Sequence, residues 1–151
     1  MRKAEKKFLE NKNEVETEED FEKLLLKNPN SSFFWTNYIA LGMESEGIEK
    51  ARSLTERALR VINYKNNNDR LNIWNSYLNL EFNFGTQESL VQVFQKALKN
   101  NNPKPLYFHL LNLYRQANNH QMLLDLGRNM VKKNKSSKKC WLEYLRILID
   151  F

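Results

Sequence analysis

Trp74-Asn75-Ser76-Tyr77-Leu78-Asn79-Leu80-Glu81 decides the fold, because its opening Trp-x-x-Tyr phrase returns along the chain. The phrase also stands at Trp35/Tyr38 and Trp141/Tyr144, and between them Tyr107 and Leu110 fill the same two places. The anchors Trp35, Trp74, Tyr107 and Trp141 lie 39, 33 and 34 residues apart. A period near 34 residues marks an array of two-helix units.

The period holds at other offsets. Ala51, Leu90 and Leu123 follow the first three anchors at one offset, Leu54, Val93 and Leu126 at a second, and Ala58, Ala97 and Met130 at a third. All nine are apolar in a chain that is 41% hydrophobic. Within each unit they are spaced by three and then four residues, which is one face of a helix. Trp74, Tyr77, Leu78 and Glu81, like Tyr107, Leu110, Leu111 and Tyr114, share a face in the same way. Each unit is therefore an A helix carrying the aromatic anchor, a turn, and a B helix. Phe21, Leu24 and Leu25 read as the B helix of an earlier unit. The predicted fold is all-α, an α-α superhelix (solenoid) of helix pairs over residues 17–151. Trp35, Tyr38, Trp74, Tyr77, Tyr107, Trp141 and Tyr144 are expected as repeat-core anchors, not ligand contacts. The long first interval is expected to reflect a longer turn around Asn63–Arg70. Residues 1–16, basic and then acidic, are expected to form a partly disordered leader. The last helix, from Trp141 to Phe151, is apolar nearly all round. A terminal repeat normally shows a polar outer face, so the chain is expected to be a piece of a longer array or to self-associate through this helix.

Composition narrows the classes. Four Gly and three Pro leave little room for hairpins. Apolar runs are too short to span a membrane, and the N-terminus has no apolar core resembling a secretion signal. One cysteine, Cys140, permits no internal disulfide and fits a reducing compartment. Asn66–Asn68 and Asn100–Asn102 fall at predicted turns, where Asn is favoured.

Charge is uneven. Residues 1–95 hold 13 Lys+Arg and 15 Asp+Glu, whereas residues 96–151 hold 11 and 3. The densest stretch is Lys132-Lys133-Asn134-Lys135-Ser136-Ser137-Lys138-Lys139. With Arg128, these lysines are candidate contacts for an RNA backbone, which a positive potential attracts. The alternative is a solvated loop kept soluble by its charge. No exposed aromatic is expected among the lysines, so contact is expected through backbone charge with little base preference.

No constellation for catalysis stands out. His109, His120 and Cys140 have no metal-ligand spacing. There is no glycine-rich phosphate loop and no nucleophile elbow. The expectation is a non-enzyme with no cofactor and no metal.

The phrases themselves resemble a known family. Trp74–Glu81 is similar to the A helix of a half-a-TPR (HAT) repeat, and Ala51-Arg52-Ser53-Leu54-Thr55-Glu56-Arg57-Ala58-Leu59 resembles its B helix. The likeness covers residues 17–151. Gly42 and Tyr114 depart from it where Glu81 stands, and Met122–Val131 lacks the Ala-Arg and Glu-Arg-Ala elements. A narrower likeness runs through turns as well as helices. Asp20–Leu26, Asn28–Phe33, Ile48–Arg52, Leu71–Trp74, Gln87–Leu90 and Phe94–Ala97 resemble the C-terminal HAT region of a family of large ribosomal RNA-processing factors. In that family a series of OB folds precedes the HAT array. The resemblance implies a non-catalytic scaffold in the nucleus and nucleolus, acting in pre-ribosomal RNA processing and small-subunit assembly. Its implied partners are pre-ribosomal assembly proteins, with pre-ribosomal RNA met through the basic C-terminal half and no membrane. HAT arrays in general imply an alternative, a scaffold of a pre-mRNA splicing or 3′-end cleavage complex.

Overall fold

The structure, a computed structural model, describes residues 2–10 and 17–150. Among them nine α-helices are the regular elements, and the chain divides into two compact units, Met1–Gly85 and Thr86–Phe151. The all-α class and the helix-pair organisation are those the repeat predicted.

Unit 1 holds α1 (Lys3–Glu10), α2 (Glu18–Lys27), α3 (Ser32–Glu46), α4 (Ile48–Val61) and α5 (Asn67–Phe84). Helix α2 starts where Thr17 and Asp20 form a reciprocal capping box, and its first turn carries Glu18, Glu19 and Asp20. That acidic run suits the positive end of a helix dipole. Ser31 caps α3 by accepting from the Phe34 N–H. A single residue, Gly47, joins α3 to α4, with a φ of 93° that glycine tolerates best. Gly42, the departure from Glu81, has a steric cause. A Cβ there would sit 2.8 Å from Leu54 Cδ1 and 3.2 Å from Lys50 Cγ, so the missing side chain lets α3 and α4 pack closely.

Part of the expected leader is helical. Residues 3–10 form α1, and Phe8 is buried against Phe21, Phe33 and Phe34 at centroid distances of 6.0, 5.4 and 5.6 Å. Ser31 Oγ donates to Glu5 at 2.7 Å, and Arg2 donates to Asp69 at 2.8 Å. One aromatic ring meeting three others gives a short helix enough burial to dock. Residues 11–16 of the expected leader lie outside the described residues.

Anchors and B helices are tied together by a recurring side-chain latch. The Tyr38 hydroxyl lies within hydrogen-bond distance of two carboxylates, Glu22 at 2.9 Å and Glu18 at 3.0 Å, and its one proton is shared between them. Arg57 donates two hydrogen bonds to Glu22 and lies 5.3 Å above the Trp35 ring. In the next repeat the Tyr77 hydroxyl donates to Glu56 at 2.9 Å. The hydrogen bonds from Arg57 and then Tyr38 hold the Glu22 carboxyl below its ordinary value of 4.5. A depressed folded value means the unfolded chain binds more protons, so this contribution is present above pH 4.5 and lost as pH falls through the folded value. The melting-temperature gap between wild type and Glu22→Gln is therefore expected to be open at neutral pH and to close on acidification, read by thermal melts at several pH values.

A second pair is deeper. Arg52 donates from Nε and Nη2 to Glu81 at 2.6 and 2.9 Å, and the Glu81 side chain is 1% exposed. Arg52→Met takes the guanidinium away from a buried carboxylate. It is expected to cost about 2–3 kcal/mol in urea denaturation, below the cost of breaking a fully buried pair because Arg52 is itself 28% exposed. The double variant Arg52→Met/Glu81→Leu is expected to recover part of that loss, since it removes the buried charge as well.

The uneven first interval has the expected cause only in part. From each of the first three anchors to the end of the following B helix the spacing is identical, ending at Val61, Asn100 and Lys133. Helix α5, however, begins seven residues before Trp74, whereas α3 and α9 begin three before their anchors. The turn before α5 is also longer, five residues against two before α7 and four before α9, so the extra residues are shared between a longer turn and added helix. The indole N–H groups of Trp35 and Trp141 each donate at 2.9 Å to a turn carbonyl six residues back, Pro29 and Lys135. The residue six before Trp74 is Asn68, already inside α5, and the buried Trp74 indole nitrogen has no hydrogen-bond partner among the described residues.

Unit 2 holds α6 (Gln87–Asn100), α7 (Pro103–Gln116), α8 (His120–Lys133) and α9 (Lys138–Ile149). Thr86 and Ser89 form a capping box for α6, and Pro103 opens α7 at a first-turn position that needs no N–H. The core gathers Leu90, Phe94, Leu106, Tyr107, Leu111, Met130, Cys140 and Ile147. Phe94 and Tyr107 meet edge to face at 5.2 Å.

Of the expected core anchors, Trp35, Tyr38, Trp74, Tyr77 and Tyr107 are buried. Trp141 is not: it is 43% exposed, and Tyr144 is only half-buried. The inner face of α9 is made instead by Cys140 and Ile147. Trp35 is enclosed because α3 packs against α2, α4 and α5, whereas α9 packs chiefly against α8 among the described residues.

Candidate nucleic-acid interface

The six predicted cations stand around the α8–α9 corner of unit 2, and all are exposed. Arg128 and Lys132 are four residues apart on α8 and so share a helix face. Lys133 stands at the rim of a cleft lined also by Val91, Phe94 and Leu126. Lys135 lies in the turn. Lys138 and Lys139 open α9, and Lys139 Nζ turns toward α7, 5.2 Å from the Phe108 ring centroid. The structure thus gathers the cations at one corner but points them to different sides, not across one flat face.

The lysine-rich turn is a built structure, not a loose loop. The Asn134 N–H and side-chain amide both donate to the Met130 carbonyl, at 3.0 and 2.9 Å. The Ser137 N–H donates to the Asn134 carbonyl at 3.0 Å, and Ser137 Oγ accepts from the Cys140 N–H at 3.3 Å. The Trp141 indole closes the turn through Lys135. Lys132 and Lys133 sit at a helix C-terminus, where positive charge is stabilising, but Lys138 and Lys139 sit at an N-terminus, where it is not. Helix stability therefore gives no reason for those two lysines. Cations beside the free N–H groups of a helix start form an anion-attracting arrangement.

The expectation that no aromatic stands among the lysines is corrected by Trp141, whose half-exposed ring is three residues from Lys138. It is a single indole, not the row that base stacking along a strand uses. Arg115 and Arg146 are drawn to Glu143 at 2.7 and 3.3 Å. The outer face of α9 is otherwise apolar and exposed, through Leu142, Leu145, Leu148 and Ile149.

Among the described residues no group of three His, Cys, Asp or Glu side chains is placed to hold a metal. Cys140 is buried. No described helix is long and apolar enough to cross a membrane.

No family model matches the chain. Among curated proteins, Protein RRP5 homolog of Homo sapiens is 37% identical over 134 residues, covering 89% of this chain. The rRNA biogenesis protein RRP5 of Arabidopsis thaliana is 41% identical over 87% of the chain, and rrp5 of Schizosaccharomyces pombe is 32% identical over 89%. The chain spans only 7–8% of the length of these relatives. The likeness noted in the phrases around Trp35 and Trp74 is thus to the RRP5 proteins, whose human form is also known as programmed cell death protein 11.

Proposed function

From its homology to a segment of the RRP5 proteins, we propose that this chain is a non-catalytic scaffold module of a ribosome-biogenesis factor. It acts in the nucleus and nucleolus, in pre-ribosomal RNA processing and small-subunit assembly. The observation that carries this reading is identity of 32–41% along nearly the whole chain to RRP5 proteins, two of them named for rRNA biogenesis. Helix pairs suit the role, since stacked units present many side chains over an extended surface and need no deep pocket. Its partners are pre-ribosomal assembly proteins. Pre-ribosomal RNA is met by Arg128, Lys132, Lys133, Lys135, Lys138 and Lys139 through phosphate contacts, which position an RNA without reading its sequence.

Deleting the coding segment for residues 17–151 in the cell of origin tests the reading. Uncleaved pre-ribosomal RNA is expected to accumulate on a Northern blot. Normal pre-ribosomal RNA with accumulating unspliced or uncleaved messenger precursors would overturn it in favour of the splicing or 3′-end alternative.

A further inference from the structure

The latch of unit 1 has a vacated counterpart in unit 2. In the first repeat four side chains close the space over the anchor: Glu22, Trp35, Tyr38 and Arg57. Glu22 and Glu56 each stand five residues before the end of their B helix, and Gln95 holds that place in α6. Leu110 is three residues after the anchor, where Tyr38 and Tyr77 stand. Asn129 follows Tyr107 at the offset by which Arg57 follows Trp35. The second repeat keeps Glu56, Trp74 and Tyr77 and has Lys96 at the place of Arg57, whereas in the third all four places differ from the first, as Gln95, Tyr107, Leu110 and Asn129. The places of the Tyr38 phenol, the Glu22 carboxylate and the Arg57 guanidinium thus hold none of those groups, while Tyr107 puts a phenol at the anchor place and Asp125 adds a carboxylate to the lining.

Those four residues line one cleft of about 300 Å³ within unit 2. Its floor is apolar, from Phe94, Leu110 and Leu126, while Gln95, Asp125, Asn129 and Lys133 supply polar groups at the rim. The volume is at the small end of the ~300–1,000 Å³ range of ligand clefts, which suits one or two side chains better than a cofactor. Repeats one and two show what this geometry holds. In each, a tyrosine ring lies over the core and its hydroxyl reaches the B-helix residue at 2.9 Å. In the third repeat that residue, Gln95, carries an amide able to accept from a hydroxyl, but the tyrosine is Leu110.

We propose that this cleft is a docking pocket for a tyrosine side chain presented by a protein partner. The ring fills the place that Tyr38 and Tyr77 fill in their own repeats, and its hydroxyl donates to the Gln95 amide oxygen. Aromatic anchors seated in small apolar pockets are the usual centres of protein interfaces. The inference concerns protein capture and does not rest on the RNA contacts.

The test is a ¹⁵N-NMR titration of the whole chain with N-acetyl-tyrosinamide, N-acetyl-phenylalaninamide and uridine monophosphate. The tyrosine probe is expected to shift the amides of Leu110, Leu126 and Asn129 with saturation. The phenylalanine probe, lacking the hydroxyl, is expected to bind two- to ten-fold more weakly, the span of one net hydrogen bond. Gln95→Ala, a change at an exposed position, is expected to remove that difference while leaving the melting temperature in place. Leu110→Tyr, which refills the cleft from within, is expected to abolish the shifts. The proposal is overturned if the tyrosine probe shifts none of these amides, or if both aromatic probes bind wild type equally. Stronger binding by uridine monophosphate at the same amides would make the cleft a nucleobase site instead.

Discussion

Trp35→Ala is expected to lower the unfolding free energy by about 3–5 kcal/mol, and Trp141→Ala by about 1 kcal/mol or less. The two tryptophans open the same Trp-x-x-Tyr phrase, so the contrast isolates packing from sequence. Trp35 is 1% exposed, stacks near Tyr38, sits beneath the Arg57 guanidinium and donates to the Pro29 carbonyl. Its removal leaves a cavity among α2, α3 and α4 and frees Arg57 from one of its two supports. Trp141 keeps the equivalent indole hydrogen bond, yet nearly half its surface already faces solvent. Urea denaturation followed by far-ultraviolet circular dichroism measures both. Equal losses would contradict the burial described here.

The helix pairs were legible in the chain because their apolar positions repeat at three and four residues. Less local features were not. Docking of α1 depends on Phe8 finding three rings from elsewhere in unit 1, which no periodicity in residues 3–10 announces. Trp141 reads as a core anchor because a phrase records which residues lie on a helix face, not whether a neighbour covers that face. Residues 63–70 look like loop, with their asparagines, but Asn67–Arg70 are the start of α5, where Asp69 meets Ser32 and Arg2. At the candidate interface the density of lysines was plain from the chain. Its division, with Lys139 turned to Phe108 and Lys133 to a cleft, follows from helical phase and from packing against α7.

Neutralising the basic corner carries the second large effect. Six cations, each meeting a phosphate of a single strand at about 0.7 per contact, give a log–log salt slope near 4 in magnitude, so affinity falls roughly 300-fold between about 50 and 200 mM salt. Replacing Arg128, Lys132, Lys133, Lys135, Lys138 and Lys139 together by Gln is expected to flatten that slope to the small residue left by the remaining cations. All six are exposed, so the fold is expected to survive the change. Melting of the variant checks this directly. Affinity is expected to vary little between unrelated RNA sequences, because phosphate contacts carry no base information.

The central claim, a helical scaffold that meets RNA by charge at one corner, is tested most directly by that slope. Fluorescence anisotropy of a labelled single-stranded RNA, titrated with the chain across the same salt range, should give a slope near 4 for wild type and a shallow one for the six-fold variant. A slope near zero for the wild type, or an unchanged steep slope in the variant, would contradict it.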